Sequence, residues 1–268
     1  MRQCRAYVFP PHTRSRQPAE VRTARLHVPG ALATGTRIDL PAAAAAHIAR
    51  VLRARSGDPL ILFNGDGCEY HGKIDSVRGS RVSVTLAGQR AVDRESALRI
   101  TLVQAVARGE RMDFVIQKAT ELGVWRVVPV LSERSVVRLD AGQRMARVEH
   151  WHSVAAHACE QCGRNRLPLI DPPMDLREHL AARDHPDARF ILDPEAGGTA
   201  LQATLPGSVE ITVGPEGGFS AGETEAMHLA GLSSLRFGPR ILRTETAALF
   251  ALSWLQASFG DMSPVMRR

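Results

Sequence analysis

Between residues 26 and 91 the apolar positions alternate with polar ones or come in short runs. Val82, Val84 and Leu86 are separated by polar residues, the period of a half-buried strand. The apolar run 59–63 ends in Asn64-Gly65-Asp66-Gly67, and Arg78-Gly79-Ser80 precedes the strand around Val82; both are turn signals. One helix interrupts, from the alanine run after Pro41 to about Arg55. Short strands, tight turns and a single helix predict a small β-barrel.

From Leu98 the period changes. Strands are predicted at 100–106, 127–131, 190–192, 209–213 and 235–237, and helices at 111–122, 142–159, 176–182, 221–230 and 246–259. Met112, Val115, Ala119 and Leu122 share one face of the first helix, and Gly123 stops it. Ala248, Leu252, Leu255 and Phe259 do the same on the last. Strands alternating with helices predict a parallel sheet covered on both faces, hence an α/β class. Three parts follow: a leader at 1–24, a barrel at 25–94 and an α/β domain at 98–262. No internal repeat is visible.

Composition narrows the class. With 268 residues, 44% hydrophobic and 23% charged, the chain can bury a core without disulfide or metal staples, and disorder over most of it is excluded. No uncharged apolar run reaches about 18 residues, so no membrane-spanning helix is expected. Cys4, Cys68, Cys159 and Cys162 are too few and too scattered for a disulfide framework, and the first 25 residues lack a signal peptide's apolar stretch. Both point to a reducing cytoplasm. The net charge of +6 is uneven, because six arginines and one acid precede Leu26. The body is nearly neutral, so any nucleic-acid surface on it must be a local patch. The leader reads as a disordered basic tail, or as a start assigned too far upstream.

Two loops carry chemistry. The first is Val213-Gly214-Pro215-Glu216-Gly217-Gly218-Phe219-Ser220, placed after a strand, where ligands of open α/β sheets bind. Its glycines let backbone amides approach a ligand. Ser220 and Glu223 form a Ser-x-x-Glu capping box and are assigned to structure. Neither phosphate-loop pattern is present, which disfavours phosphate chemistry. The second loop is Phe237-Gly238-Pro239-Arg240-Ile241-Leu242-Arg243-Thr244-Glu245-Thr246-Ala247. Its arginines, beside apolar residues before a helix, suit a ligand with apolar and anionic parts, although pairing with surface acids fits each one equally well. Cys159-x-x-Cys162, with His152 and His157 nearby, is half of a zinc pattern; no second cysteine pair follows, and no metal is expected.

The two loops together resemble the paired signature motifs of the bacterial 16S ribosomal RNA (uridine-N3) methyltransferase family, within the SPOUT superfamily. Further stretches are similar to it: Gln117-Lys118-Ala119-Thr120-Glu121-Leu122-Gly123 followed by Ser132-Glu133-Arg134-Ser135, Glu160-Gln161-Cys162-Gly163-Arg164 before Pro168, and His47-Ile48-Ala49-Arg50-Val51-Leu52-Arg53 with Gly57-Asp58. The resemblance implies an N-terminal PUA-like, RNA-binding β-barrel and a C-terminal SPOUT α/β domain with a deep trefoil knot. It implies a homodimer that binds S-adenosylmethionine and methylates N3 of one uridine in 16S rRNA of the assembled 30S subunit.

Carried onto this chain, the cofactor pocket has three walls. Leu192 and Pro194 form the first. Val213, Gly214, Pro215, Glu216, Gly217 and Gly218 form the second. The third comprises Phe237, Gly238, Ile241, Leu242, Arg243, Thr244, Thr246 and Ala247. Arg243 would stabilise a developing uracil oxyanion, and Glu245 and Glu216 are candidates for the base; either acid could equally be structural. Arg50 and Arg53, taken to share a helix face, with Arg55, Arg134 and Arg164, are the expected RNA contacts. The family's aromatic residues are absent at Leu26 and His27, which puts base stacking by that strand in doubt. Other readings stay open on the residues alone: a non-catalytic RNA-binding protein, an α/β enzyme with another nucleotide, or a methyltransferase for tRNA ribose.

Overall fold

The computed structural model describes residues 23–182, 186–197 and 207–263. The leader read over 1–24 lies, except for its last two residues, outside the described residues.

The first unit holds strands β1 (Ala24–His27), β2 (Arg37–Asp39), β3 (Pro59–Phe63), β4 (Cys68–Arg78) and β5 (Arg81–Ala91). They form one mixed sheet in the order β1-β3-β4-β5-β2, with only the β1–β3 ladder parallel. A closed barrel was expected; among the described residues no ladder joins β1 to β2. The alternating side chains Val82, Val84 and Leu86 face a core with Leu26, Ile48, Leu60 and Leu62. Leu26 is thus turned inward and offers no stacking face.

The helix of this unit differs from its reading. Helix α1 (Ala42–Ala46) gives way to a wider π-helical turn, His47–Val51. Arg53 falls beyond it with φ +50°, a left-handed conformation uncommon for a side-chain-bearing residue. Arg50 and Arg53 therefore share no helix face. They instead stand, exposed with Arg55, on a tip that also exposes Val51 and Leu52.

The second unit has strands β6 (Arg99–Ala105), β7 (Arg126–Leu131), β8 (Leu169–Ile170), β9 (Met174–Asp175), β10 (Ala188–Leu192), β11 (Ser208–Val213) and β12 (Ser233–Leu235). All pair in parallel, in the order β12-β10-β11-β6-β7-β8, with β9 also on β7. Strands β6 and β11 are buried almost end to end, as central strands covered on both faces must be. Helices α2 (Arg111–Glu121), α3 (Ala141–Cys162) and α6 (Thr244–Phe259) contribute to the core on one face. Helices α4 (Leu176–Leu180) and α5 (Ala221–Leu229) contribute to the core on the other. Helix α3 outruns its predicted span because Asp140 and Gln143 close a capping box at its start, and Gly163, with φ +89°, stops it.

The loop after α3 joins the units. Arg25 of β1 donates to the Arg164 carbonyl and to Asn165 Oδ1, both at 2.9 Å, and to Glu69 at 2.6 Å. Arg94, in the linker, donates to Glu69 at 2.9 Å and to the Gly163 carbonyl at 2.6 Å. The His27 amide donates to Glu160 at 2.9 Å. Arg164 itself is 5% exposed. Its guanidinium grips Glu95 at 2.5 Å and the carbonyls of Thr120 and Val124 at 2.9 and 3.1 Å. Arg164 is therefore withdrawn from the RNA contacts expected of it: its guanidinium is buried, and four of its five N–H donors are spent on protein carbonyls and a carboxylate.

A second buried charge cluster lies under α4. Glu210 accepts from Arg189 Nε at 3.0 Å, lies 2.9 Å from Arg189 Nη2 in the ion pair, and contacts His179 Nε2 at 3.2 Å. Burial alone would raise its carboxyl pKa, but His179 and Arg189 outweigh burial, and the result lies below the usual 4.5. The folded state thus favours the carboxylate, and this stabilisation is present above pH ~4.5 and lost as pH falls through the lower folded value. Urea titrations from pH 7 to 3 should show the stability gap between wild type and Glu210→Gln closing on acidification. A gap independent of pH would refute that coupling.

Candidate active site

The carboxyl ends of β10, β11 and β12 open onto a cavity of about 1180 Å³. Its walls are the loop after β10, the glycine loop 213–219 and the stretch 237–245 leading into α6. Of the sixteen positions expected to hold the cofactor, all line it except Thr246. Two residues beyond Thr244 on a helix, Thr246 is turned well round the axis and is exposed.

The local chemistry of the glycine loop is strict. A Cβ on Gly214 would approach the Phe219 ring to 3.3 Å. Gly218 has φ +67°, and its amide closes a turn onto the Pro215 carbonyl at 2.9 Å. Ser220 and Glu223 exchange their capping-box hydrogen bonds at 3.1 and 2.8 Å. Glu223 also accepts from the Glu133 amide at 2.7 Å, which ties the loop to the one after β7. Both residues do structural work, as their spacing predicted.

Buried Thr244 fastens the third wall to the second. Its hydroxyl donates to the Gly214 carbonyl at 2.7 Å and accepts from Gln104 Nε2 at 2.9 Å. Two arginines clamp the glycine loop from the other side. Arg111 pairs with Glu216, and Arg134 donates to the Gly217 carbonyl at 3.0 Å.

Glu216 is thus engaged by a guanidinium, while Glu245 has a buried oxygen, Oε2, without a partner among the described residues. Arg240 and Arg243 form no ion pair among the described residues, so pairing with surface acids is not their role here. Both line the cavity, as does Ile241, which is 84% exposed.

Sequence reasoning missed Arg111, Gln104 and one face of α5. Thr224 and His228 of that face line the cavity at i, i+4 spacing, a pattern readable in advance had α5 been assigned to a wall.

This architecture of cavity and attached small sheet is that of an RNA methyltransferase. A family model described as RNA methyltransferase domain matches residues 94–256, and one described as RNA methyltransferase PUA domain matches 40–86. Curated relatives called ribosomal RNA small subunit methyltransferase E include one from Buchnera aphidicola subsp. Acyrthosiphon pisum, 32% identical over 80% of this chain and 85% of its own. Another, from Bacillus subtilis, is 32% identical over 77% of this chain and 84% of its own. A Neisseria gonorrhoeae structure of that name, bound to S-adenosyl methionine, superimposes with TM-score 0.82 at 34% identity, covering 90% of this chain and all (100%) of that one. A Legionella pneumophila methyltransferase with bound cofactor SAM gives TM-score 0.86 at 40% identity, with the same coverage. The chain belongs to the ribosomal RNA small subunit methyltransferase E family.

Proposed function

We propose that the protein transfers a methyl group from S-adenosylmethionine to N3 of one uridine in 16S rRNA, within the assembled 30S subunit, in the cytoplasm. The cavity supports this reading most strongly, because its residues fit the cofactor. Gly214 and Gly217, lacking a Cβ, let a ligand approach the backbone, and Leu192, Ile241 and Leu242 offer apolar surface for a purine. When bound, the cofactor supplies an electrophilic methyl group.

The chain's own residues then have three tasks. N3 of uridine carries a proton and lies on the pairing edge, so the base must be unpaired or flipped out. Glu245 or Glu216 takes that proton. Arg243 donates to the uracil oxygen on which negative charge grows. Phosphates are held by the exposed tip with Arg50, Arg53 and Arg55, and by Arg134 at the cavity rim.

The same reading includes a homodimer and a trefoil knot. Phe237 stacks edge-on against Phe250 at 4.8 Å, and Phe250 remains 47% exposed on α6. That exposure favours a partner subunit over this face. The Thr244 tether to Gly214 favours a last segment drawn back against the glycine loop.

Nucleoside mass spectrometry of rRNA tests the activity. Cells without the gene should lose N3-methyluridine from small-subunit rRNA and regain it when the gene returns. Full retention of N3-methyluridine in the deletion strain would exclude the assignment.

A further inference from the structure

Next to the large cavity lies a smaller hollow of about 450 Å³, lined by Arg108, Gly109 and Arg111 after β6, Val136 after β7, and Glu216. Its place follows from topology. Strand β6 leads to α2 on one face of the sheet, whereas its neighbour β11 leads to α5 on the other. Chains diverging in this way leave a crevice outside the strand ends, a preferred ligand site in open α/β sheets. The two hollows share Arg111 and Glu216, so their occupants would touch.

The geometry points to this annex as the seat of the acceptor nucleotide, its base against Val136 and its phosphodiester between Arg108 and Arg111. The inference rests on the reading that the larger cavity holds the methyl donor and that the substrate is RNA. Charge supports it: two of the five lining residues are arginines, and Glu216, the acid, is already paired with Arg111. Arg108 forms no ion pair among the described residues. Guanidinium forks match phosphate oxygens in pairs. Val136 is 52% exposed, a bare apolar platform beside these cations. The volume lies within the ~300–1,000 Å³ of small-ligand sites, enough for one nucleotide and too little for a duplex.

Arg108→Ala and Val136→Glu test the annex, since both change exposed side chains outside the cofactor walls. Two measurements use small subunits purified from cells lacking the gene: methyl transfer from labelled S-adenosylmethionine, and subunit binding with S-adenosylhomocysteine present. Calorimetry with S-adenosylmethionine confirms that each variant keeps its cofactor affinity. Arg108→Ala should weaken subunit binding and raise KM about tenfold. Its log-log salt slope should be shallower by about one, with Arg108→Lys restoring part of the binding. Val136→Glu should weaken binding at least as much. Variants that bind like wild type would overturn the annex. A wild type that binds but transfers no methyl, beside variants that bind weakly, would overturn the functional reading and leave the annex standing.

Discussion

Arg164→Ala should destabilise the folded protein by about 3–5 kcal/mol, a large part of the 5–15 kcal/mol that typically holds a domain together. The cost comes from what the substitution strands. Glu95 keeps a carboxylate that is 21% exposed and loses its guanidinium, and the carbonyls of Thr120 and Val124 lose their donors. Lysine cannot replace the planar fork that reaches all three acceptors, so Arg164→Lys should recover little. Urea unfolding followed by circular dichroism measures the loss. A variant with wild-type stability and weakened RNA binding would reverse the assignment and return Arg164 to the RNA surface. The linker residue Glu95 and the α3 stop at Gly163 belong to the same joint, so the loss should spread to the contact between the sheets. Cleavage of the 92–98 linker by trypsin should accelerate in step.

That joint was the least legible part of the chain. Arg164 and Glu95 are 69 positions apart, and nothing local marks them as partners. The resemblance to the Glu160–Arg164 motif identified the residues that matter but not their task. The strands and helices were readable because their signals are local. Alternation at Val82, Val84 and Leu86, the glycine stop at 123 and the capping box at Ser220 each span a few residues, whereas the equally local Asp140 box and Gly163 stop went unread and left α3 short at both ends. The π-helical turn after Ala46 escaped because it keeps nearly the same apolar spacing as an α-helix and widens only where the ladder shifts. The glycine loop and the 237–245 stretch were visible as sequence, and their meeting was not. It depends on Gln104, Thr244 and the Gly214 carbonyl, drawn from three distant segments. The annex was hidden for the same reason, since its arginines and its valine come from different strand ends.

Arg243→Ala should lower kcat by about 10²–10³ while cofactor affinity stays near wild type. Arg243 occupies the N-cap position of α6, with extended backbone and no capping hydrogen bond from its side chain. Arginine is a poor choice there, where Ser, Thr, Asp or Asn would satisfy the free amides. A residue that breaks a local rule on an otherwise consistent chain marks a functional position. Its side chain is exposed, lines the cavity and pairs with no acid among the described residues, so truncation should cost stability only about 0.5 kcal/mol. The loss must then appear in the reaction. If the guanidinium acts on charge that grows in the transition state, kcat and kcat/KM fall together, and Arg243→Lys restores part of both. If it only holds the cofactor, affinity measured by calorimetry falls and kcat at saturation survives. Glu245 lies two residues on, in the first turn of the same helix, and lines the same cavity. Arg243→Ala and Glu245→Gln should therefore be non-additive when combined, because removing either one disturbs the proton and charge balance on which the other acts.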